Sequence, residues 1–302
     1  MINIYPSFYN SFSCIAGKCP DTCCAKWEIV VDTDSANFYN RIKTKFGERL
    51  RGSMITDSDG DVIFKNIGGR CPFLNERSLC DIYTELGEQA LCKTCAKFPR
   101  YSTSFGGTRE WGLSLACPVA CDLILKSDLA LISEFDTDDP DLNELDADLY
   151  LYLKDVRGAV FKRMESDFTV SEMLAFGNKI ENGEYVVPDF EAAETPSPDP
   201  DCFRKFEYLA EKGREVFLKI NSFAELKLTG GLRRIFSYYI YRYLLASVYD
   251  GCLSFAFRLA SFAVCAINTV AQNENIPLSE AAVLFSKEIE YSETNLAFFK
   301  NT

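Results

Sequence analysis

The chain has 302 residues, an apolar fraction of 47%, a charged fraction of 25% and a formal net charge of −12. These proportions are ordinary for a folded protein and allow a core of normal size, so the fold does not depend on disulfides. The negative charge argues against nucleic-acid binding, which needs clustered Lys and Arg to neutralise phosphates. The chain contains no histidine, which excludes imidazole as a metal ligand and as a catalytic acid or base.

The first residues, MINIYPSFYNSF, carry no positively charged start and no long apolar run. They do not resemble a secretory signal, and the sequence therefore predicts a cytoplasmic protein. Thiols stay reduced in that compartment, where clustered cysteines bind metal more often than they form disulfides. The acidic balance has two explanations: it keeps the protein soluble, or it complements a basic protein partner.

The cysteines are concentrated in the first part of the chain. Its densest stretch, CIAGKCPDTCC, ends on the adjacent pair Cys23 and Cys24. The cysteines before residue 122 are Cys14, Cys19, Cys23, Cys24, Cys71, Cys80, Cys92, Cys95, Cys117 and Cys121, and only Cys202, Cys252 and Cys265 follow. Without histidine, a metal site in this region favours either zinc bound by four thiolates or an iron–sulfur cluster. A zinc site that only holds the loops together is the structural alternative.

Residues 1–125 are predicted to form an irregular, cysteine-rich metal-binding region with short strands. A strand is expected at Trp27–Val31, followed by a helical stretch over about Ser35–Arg51 with apolar residues at spacings of four. The string ITDSDGDVIF predicts a hairpin that turns at Asp59 and Gly60.

Short cysteine spacings and turn residues follow in the same region. Pro72 after Cys71 and the Cys92-x-x-Cys95 pair are typical of metal-binding knuckles. The spacings Cys19-x3-Cys23 and Cys92-x2-Cys95 let one loop offer two ligands to one centre. Adjacent cysteines tend to point apart, so Cys23 and Cys24 are not both expected to bind a single ion. Pro118 is expected in the first turn of a helix, where its missing N–H costs nothing.

The rest of the chain is predicted to be helical. Residues 126–181 are expected to be an acidic helical segment with one or two helices over 149–180, and the Pro-rich residues 182–202 to be a linker. Residues 203–302 are expected to be a helical domain, whose last helix has Ser279 as its N-cap.

The most apolar part of this domain contains Arg242, Asp250 and Arg258, which leave no uncharged run of about 20 residues for a membrane span. We therefore expect buried helices there and no membrane partner. Nucleophilic sites of the Ser/His/Asp or Cys/His type are excluded because both need histidine. The glycine pairs lack the spacing of a phosphate-binding loop, and the CxxxCxxC spacing of radical enzymes is absent.

Several motifs occur together in one order: CIAGKCPDTCCAKW, RCPFL, LCDIY, LGE, TCAKFPR and LSLACP. This pattern resembles the bacterial flagellin lysine-N-methylases, and parts of it resemble the wider cysteine-cluster domains thought to chelate zinc or iron. The motifs cover residues 5–125. YIYRYLLASVYDG, which includes Arg242, resembles the C-terminal helical part of the same family.

The resemblance implies transfer of a methyl group from S-adenosylmethionine to lysine ε-amines of flagellin. It also implies an iron–sulfur cluster of the 4Fe-4S type, with zinc as the alternative. The family's cysteines correspond to Cys14, Cys19, Cys23, Cys24, Cys71, Cys80, Cys95 and Cys117, with Cys92 as a ninth. Cys121 has no counterpart in the pattern and is expected to be an extra buried thiol.

A lysine must lose its proton before its nitrogen can attack a methyl sulfonium, and Glu110, Glu88 and Tyr101 are candidates to accept it. Arg70 and Arg100 lie beside cysteine motifs and are candidates to bind the carboxylate of the methyl donor. An ordinary salt bridge, or a bond to a loop carbonyl, is the simpler role for both arginines.

The sequence thus predicts a mainly α protein with an irregular, strand-containing N-terminal metal region and a helical C-terminal region. The predicted function is methylation of lysine on flagellin or another lysine-bearing protein, without nucleic acid or membrane. The alternatives are a non-catalytic iron–sulfur or zinc module for electron transfer or protein interaction, and a zinc-stapled scaffold.

Overall fold

The computed structural model describes residues 1–25, 28–136, 144–180, 186–190 and 198–301. The chain forms two compact units. We call Ser13–Tyr101 the cysteine unit, and Met1–Phe12 together with Ser102–Thr302 the helical unit. The predicted division at residues 125, 181 and 202 follows different boundaries and stays a prediction.

Short strands and many helices make up the described chain. The strands are β1 (Ile2–Pro6), β2 (Met54–Thr56), β3 (Val62–Phe64), β4 (Arg100–Phe105), β5 (Thr108–Leu113) and β6 (Leu131–Phe135). The α-helices are α1 (Thr33–Arg41), α2 (Lys45–Ser53), α3 (Asp81–Leu86), α4 (Lys93–Lys97), α5 (Pro118–Lys126), α6 (Ala147–Arg163), α7 (Val170–Ile180), α8 (Glu211–Phe217), α9 (Gly230–Tyr243), α10 (Phe255–Asn273), α11 (Leu278–Ile289) and α12 (Glu293–Asn301). The mainly α fold with a strand-containing N-terminal region is therefore confirmed.

The helical stretch predicted over about Ser35–Arg51 consists of two helices separated by a sharp turn. The first helix ends before Ile42, and Thr44 caps the second by accepting a hydrogen bond from the Gly47 amide at 3.3 Å. A Cβ atom at Gly47 would lie 2.2 Å from the Ile42 carbonyl oxygen. The chain can reverse this sharply because glycine has no side chain at the point of closest approach.

The predicted hairpin is confirmed. The antiparallel strands β2 and β3 pair Met54 with Phe64, and Gly60 adopts a positive φ of 92° in the turn between them. The Asp57 carboxylate accepts hydrogen bonds from the amides of Asp59 and Asp61, at 3.0 and 2.9 Å. The acidic DSDGD string therefore forms the turn, in which an Asp side chain accepts hydrogen bonds from amides of its own loop.

A small apolar core holds the cysteine unit together. Phe73 is fully buried and makes edge-on ring contact with Phe64 at 5.0 Å, and Tyr39 is also fully buried. The Tyr39 hydroxyl donates a 2.6 Å hydrogen bond to the Ala90 carbonyl, so its polar end is satisfied. Cys92 lies within this core, which ties the position of a thiol to the hydrophobic packing of the unit.

The helical unit begins with a mixed four-stranded sheet in the order β4-β5-β1-β6. The first strand pairs in parallel with β5 and antiparallel with β6, where Ile2 lies opposite Phe135 and Pro6 opposite Leu131. A buried ion pair supports this sheet, since Arg157 of α6 donates to both carboxylate oxygens of Glu110 at 2.7 and 2.6 Å.

The core helix of the helical unit is α10, which packs against α7, α9 and α11. The core around it is rich in aromatic rings. The Phe203 ring centroid lies 5.0 Å from that of Phe217 and 4.9 Å from that of Phe262. Among the described helices, α10 is long and apolar enough to cross a membrane by length and composition. Of its most apolar window, 72% is buried inside the protein, as in a core helix.

A buried polar network joins α9 to the end of α11. The Glu290 carboxylate accepts hydrogen bonds from the hydroxyls of Tyr238, Tyr239 and Tyr243, at 2.7, 3.2 and 3.0 Å. Arg242 pairs with the same carboxylate at 2.7 Å. The YIYRYLL motif therefore neutralises a carboxylate that would be costly to bury alone.

The remaining sequence predictions concern helix starts, helix bounds and the linker. Pro118 occupies the first turn of α5, and two helices cover 149–180, as expected. The prediction of Ser279 as an N-cap is wrong, because α11 begins at Leu278 with Pro277 as its cap. Trp27 and most of the predicted 182–202 linker lie outside the described residues.

Candidate metal centre

Five cysteines of the cysteine unit influence one another electrostatically: Cys24, Cys71, Cys80, Cys92 and Cys95. We call them the thiol cluster. Cys92 is buried, and the other four are half-buried. The Cys71 amide donates a 2.9 Å hydrogen bond to the Cys24 carbonyl, which joins the loops that carry these two residues.

The thiols of the cluster ionise unequally. A hydrogen bond with Cys23 is the main cause that lowers the pKa of Cys24 to about 7. Burial, with smaller contributions from nearby thiolates, raises the pKa of Cys71 to about 12. The hydrogen bond between Cys92 and Cys95 lowers the pKa of Cys92 and raises that of Cys95. Such coupling is expected where several thiols share a poorly solvated site, since each added negative charge opposes the next.

Arg49 holds together the two loop ends that carry Cys71 and Cys80. Its guanidinium donates to the Pro72 carbonyl at 2.5 Å and to the Asp81 carboxylate at 2.7 Å. The same group lies over the Phe73 ring at 5.1 Å from the centroid. Because Pro72 follows Cys71 and Asp81 follows Cys80, one guanidinium links the backbone beside one thiol to the side chain beside the other.

Asp32 holds the Cys92-x-x-Cys95 turn against α1. One oxygen of its carboxylate accepts a 2.8 Å hydrogen bond from the Lys93 amide, while the other caps α1 by accepting from Ser35 at 3.2 Å. Thr94 adds a 2.8 Å hydrogen bond to the Val30 carbonyl. The turn that carries the two thiols is thus fixed at both of the residues between them.

The thiols of the cluster are suitable metal ligands by chemical type, but their arrangement does not define a coordination site. Thiolates close enough to perturb one another's pKa are suitable ligands for zinc or an iron–sulfur cluster. Within the described ranges, however, no three cysteine or carboxylate side chains are arranged as ligands of one ion. The donor set fits a soft metal in kind, and no coordination geometry is derived from it.

The remaining predicted cysteine ligands are not among these five thiols. Cys14 is exposed and accepts a hydrogen bond from the Ala16 amide at 3.4 Å. Cys19 is half-buried and donates to the Asp21 carbonyl at 3.4 Å. Cys23 neighbours Cys24, and Cys117 is buried in the helical unit. Their assignment as ligands stays a prediction.

The predicted arginines have different surroundings. Arg70 is exposed, forms isolated β-bridges with Ala25 and Ile67, and contributes to lowering the pKa of Cys24. Arg100 is half-buried at the start of β4. Binding of the methyl donor by either arginine stays a prediction.

The three candidate bases also differ. Glu110 is buried, and two nitrogens of the Arg157 guanidinium bind its two carboxylate oxygens, so both oxygens are already engaged in a structural ion pair. Glu88 is exposed in the short 3₁₀ helix Glu88–Ala90, and Tyr101 is half-buried in β4. Of the three, Glu88 and Tyr101 keep the access that proton transfer from a substrate requires.

Asp32, Arg49 and Tyr39 contact the loops or helices around the thiol cluster, although no cysteine motif marks them. Asp32 had a detectable signal, since Asp is a preferred N-cap residue at the start of a helix. Arg49 had none, because its partners Pro72 and Asp81 are distant in the sequence and only the fold brings them together.

The chain is similar in sequence to three curated proteins. This chain and the flagellar biosynthetic protein FliU of Salmonella muenchen are 32% identical over 126 residues, which cover 40% of this chain and 75% of that protein. The chain belongs to the FliU and lysine-N-methylase family. It is also 32% identical over 136 residues to proteins named lysine-N-methylase from Salmonella typhimurium and Salmonella choleraesuis.

The matches to the lysine-N-methylases cover only part of this chain and of those relatives. The lysine-N-methylase matches cover 43% of this chain, which spans 34% of the length of those relatives. No protein-family profile matches the chain. No solved structure matches it either. Family membership is therefore shown, whereas the activity of the whole protein is a matter for proposal.

Proposed function

We propose that the protein is an S-adenosylmethionine-dependent protein-lysine N-methyltransferase that acts on flagellin or another lysine-bearing protein. The match to FliU over 75% of that protein's length carries the proposal, and the lysine-N-methylase names of two further relatives support it. A cytoplasmic location, where the thiols stay reduced, is part of the proposal.

The proposed reaction forms an N–C bond and breaks a C–S bond. The methyl donor supplies an electrophilic methyl sulfonium and leaves as S-adenosylhomocysteine. The substrate lysine must first give up a proton, because only the neutral amine has a lone pair for attack. Since Glu110 is held by Arg157, Glu88 and Tyr101 are the candidates to accept that proton.

We further propose that the thiol cluster would hold a metal centre, either an iron–sulfur cluster of the 4Fe-4S type or zinc. The support is the presence of five coupled thiols in the cysteine unit, together with the lack of histidine anywhere in the chain. The roles of Arg49 and Asp32 are then to hold the ligand loops in place before the metal binds.

The experiment has two readouts. Purification without oxygen, followed by visible spectroscopy and metal analysis, is expected to give a brown protein that contains iron and sulfide. A colourless protein with about one zinc would contradict the iron–sulfur part alone. Incubation with labelled S-adenosylmethionine and flagellin under reducing, anaerobic conditions is then expected to label lysine, and no labelling would contradict the methylase proposal.

Matched cysteine variants test the location of the metal. Cys71→Ser removes a half-buried thiol of the cluster, and we expect it to lower the metal content severalfold; the same loss is predicted at Cys19 and Cys23. Cys265→Ser removes a buried thiol of the helical unit and should leave the metal content unchanged. Equal loss in Cys71→Ser and Cys265→Ser would contradict the assignment.

A non-catalytic metal module is the second candidate function. Arg49 and Asp32 fix the loops that carry the thiols, and this positioning serves a structural metal as well as a catalytic one. That observation favours the non-catalytic module. This candidate predicts a metal-containing protein that transfers no methyl group.

A further inference from the structure

The outer strand β6 of the helical unit's sheet has exposed residues along its whole length. In the order β4-β5-β1-β6, β6 lies at one edge, and all five of its residues are exposed. Phe135 is 81% exposed, and Leu131 and Ile132 are about 40% exposed. Proteins usually protect such an edge with lysine, proline, a bulge or a covering element, because unpaired backbone groups attract another strand.

The register shows which backbone groups of β6 face outward. Met1 and Asp136 exchange two hydrogen bonds of 2.8 Å, and the Ser7 amide donates to the Ala130 carbonyl at 2.8 Å. Antiparallel pairs alternate between hydrogen-bonded and non-hydrogen-bonded positions, so the even-numbered residues of β6 bond to β1. Pro6, which has no amide proton, lies opposite Leu131 in a non-bonded position, as this alternation requires.

The N–H and C=O groups of Leu131, Ser133 and Phe135 therefore point away from β1. No described residue pairs with them as a further strand. They present alternating donors and acceptors along the edge, which is the backbone pattern that an added strand recognises.

We propose that β6 receives an extended, lysine-bearing segment of a protein partner as an added strand. The charge of this part of the chain selects such a partner. From Glu134 to Asp148 the sequence has eight acidic residues and no basic one, and the whole chain carries −12. A second copy of this chain would bring like charges together, whereas a basic segment is attracted and its alternate side chains can contact Leu131 and Phe135.

This inference deepens the proposed function, because the segment would belong to the lysine-bearing substrate. Binding is measured without a methyl donor, so it is independent of catalysis. A protein that binds the segment but transfers no methyl group contradicts the methylase proposal and leaves the docking strand standing. A protein that methylates flagellin equally well with and without a usable edge contradicts the docking strand.

The test uses a proline at the outward-facing position of the strand. Ser133→Pro removes an amide that faces away from β1, so the β1–β6 pairing is kept, and Ile132 before it is already extended. Ser133→Val keeps that amide and serves as the matched control. The probe is the acetylated, amidated peptide TVKVTVKVT, titrated into each full-length variant by calorimetry, with circular dichroism to check folding.

We expect the wild type and Ser133→Val to bind equally, and Ser133→Pro to bind at least about tenfold more weakly, through the lost hydrogen bond and the blocked edge. A peptide with glutamate in place of lysine should bind more weakly than TVKVTVKVT, by a factor that shrinks as salt is added. If Ser133→Pro fails to fold, the wild type is titrated instead with a TVKVTVKVT peptide that is N-methylated on alternate amides. That peptide should not bind the wild type.

Three results would overturn the proposal. One is equal affinity of Ser133→Pro and Ser133→Val for the lysine peptide. Another is the absence of binding to the wild type at millimolar peptide. The third is a dimer of the wild type that Ser133→Pro abolishes, which would make a second copy the occupant of the edge.

Discussion

Asp32→Asn should loosen the attachment of the Cys92-x-x-Cys95 turn to α1. The Asp32 carboxylate accepts from the Lys93 amide at 2.8 Å and from the Ser35 amide at 3.2 Å, so both oxygens act as acceptors. An asparagine keeps one acceptor and places an NH₂ group where the second oxygen faces a donor. The substitution therefore removes a charge and a hydrogen bond without removing volume.

The magnitude follows from the ionisation of Asp32. Burial opposes its charge, but hydrogen bonds from Lys93 and Ser35 outweigh this and lower the pKa from 3.8 to about 2. That difference corresponds to at most about 2.5 kcal/mol of stabilisation at pH 7. The side chain is 20% exposed, and solvent screening together with the remaining amide acceptor reduces the expected cost to about 1–2 kcal/mol.

Amide hydrogen exchange of the full-length protein, followed by mass spectrometry, measures this cost locally. We expect exchange in α1 and α4 to be about 5- to 30-fold faster in Asp32→Asn at pH 7. Asp34→Asn is the matched control, because Asp34 also contacts Lys93, at 2.8 Å, but is 82% exposed. Its effect should stay within about twofold.

The pH dependence gives a second check on Asp32. Because its folded pKa is depressed, the stabilisation is complete above the unfolded value of 3.8 and is lost as pH falls through about 2. The difference between wild type and Asp32→Asn, corrected for intrinsic exchange, should therefore be smaller at pH 3 than at pH 7. Equal effects of the two substitutions, or a difference that does not change with pH, would refute the reasoning.

Two further predictions concern packing and charge burial. Gly47→Ala should destabilise the protein by about 2 kcal/mol or more, because its Cβ would lie 2.2 Å from a carbonyl oxygen, as measured by urea unfolding. Gly52→Ala meets nothing within 4 Å and should stabilise α2 by about 0.5–1 kcal/mol; the reverse order would contradict the close approach. Glu110→Gln should cost about 3–5 kcal/mol by leaving the buried Arg157 charge unpaired, whereas Asp122→Asn, in an exposed pair, should cost at most about 0.5 kcal/mol. Similar losses for the two would show that the buried pair is better solvated than its exposure indicates.

Local sequence patterns predicted those elements whose causes are local. The hairpin at Asp59 and Gly60 depends on an Asp side chain and a glycine within a few residues, and Pro118 needs only a helix start. The break within the helical stretch predicted over Ser35–Arg51 was missed, because it depends on how closely Gly47 approaches the Ile42 carbonyl, which periodic apolar spacing does not indicate.

The candidate site divides in the same way. Cysteine spacing pointed to a thiolate metal site, which stays a prediction. The order of the motifs pointed to the family, which the match to FliU confirms. The spacing alone did not separate Cys117, in the helical unit, from the five thiols that perturb one another in the cysteine unit. Nor did it show that Glu110, a candidate base, is held by Arg157.

The sequence by itself determined the family, the mainly α fold class and the restriction of any metal site to ligands other than histidine, because these depend on which residues are present and in what order. The tertiary structure decided which thiols are neighbours, which loops Arg49 and Asp32 hold, and which edge of the sheet stays open at β6. The physical reason is that electrostatic coupling and backbone pairing depend on distance in space, and residues far apart in the chain become neighbours only when the core forms.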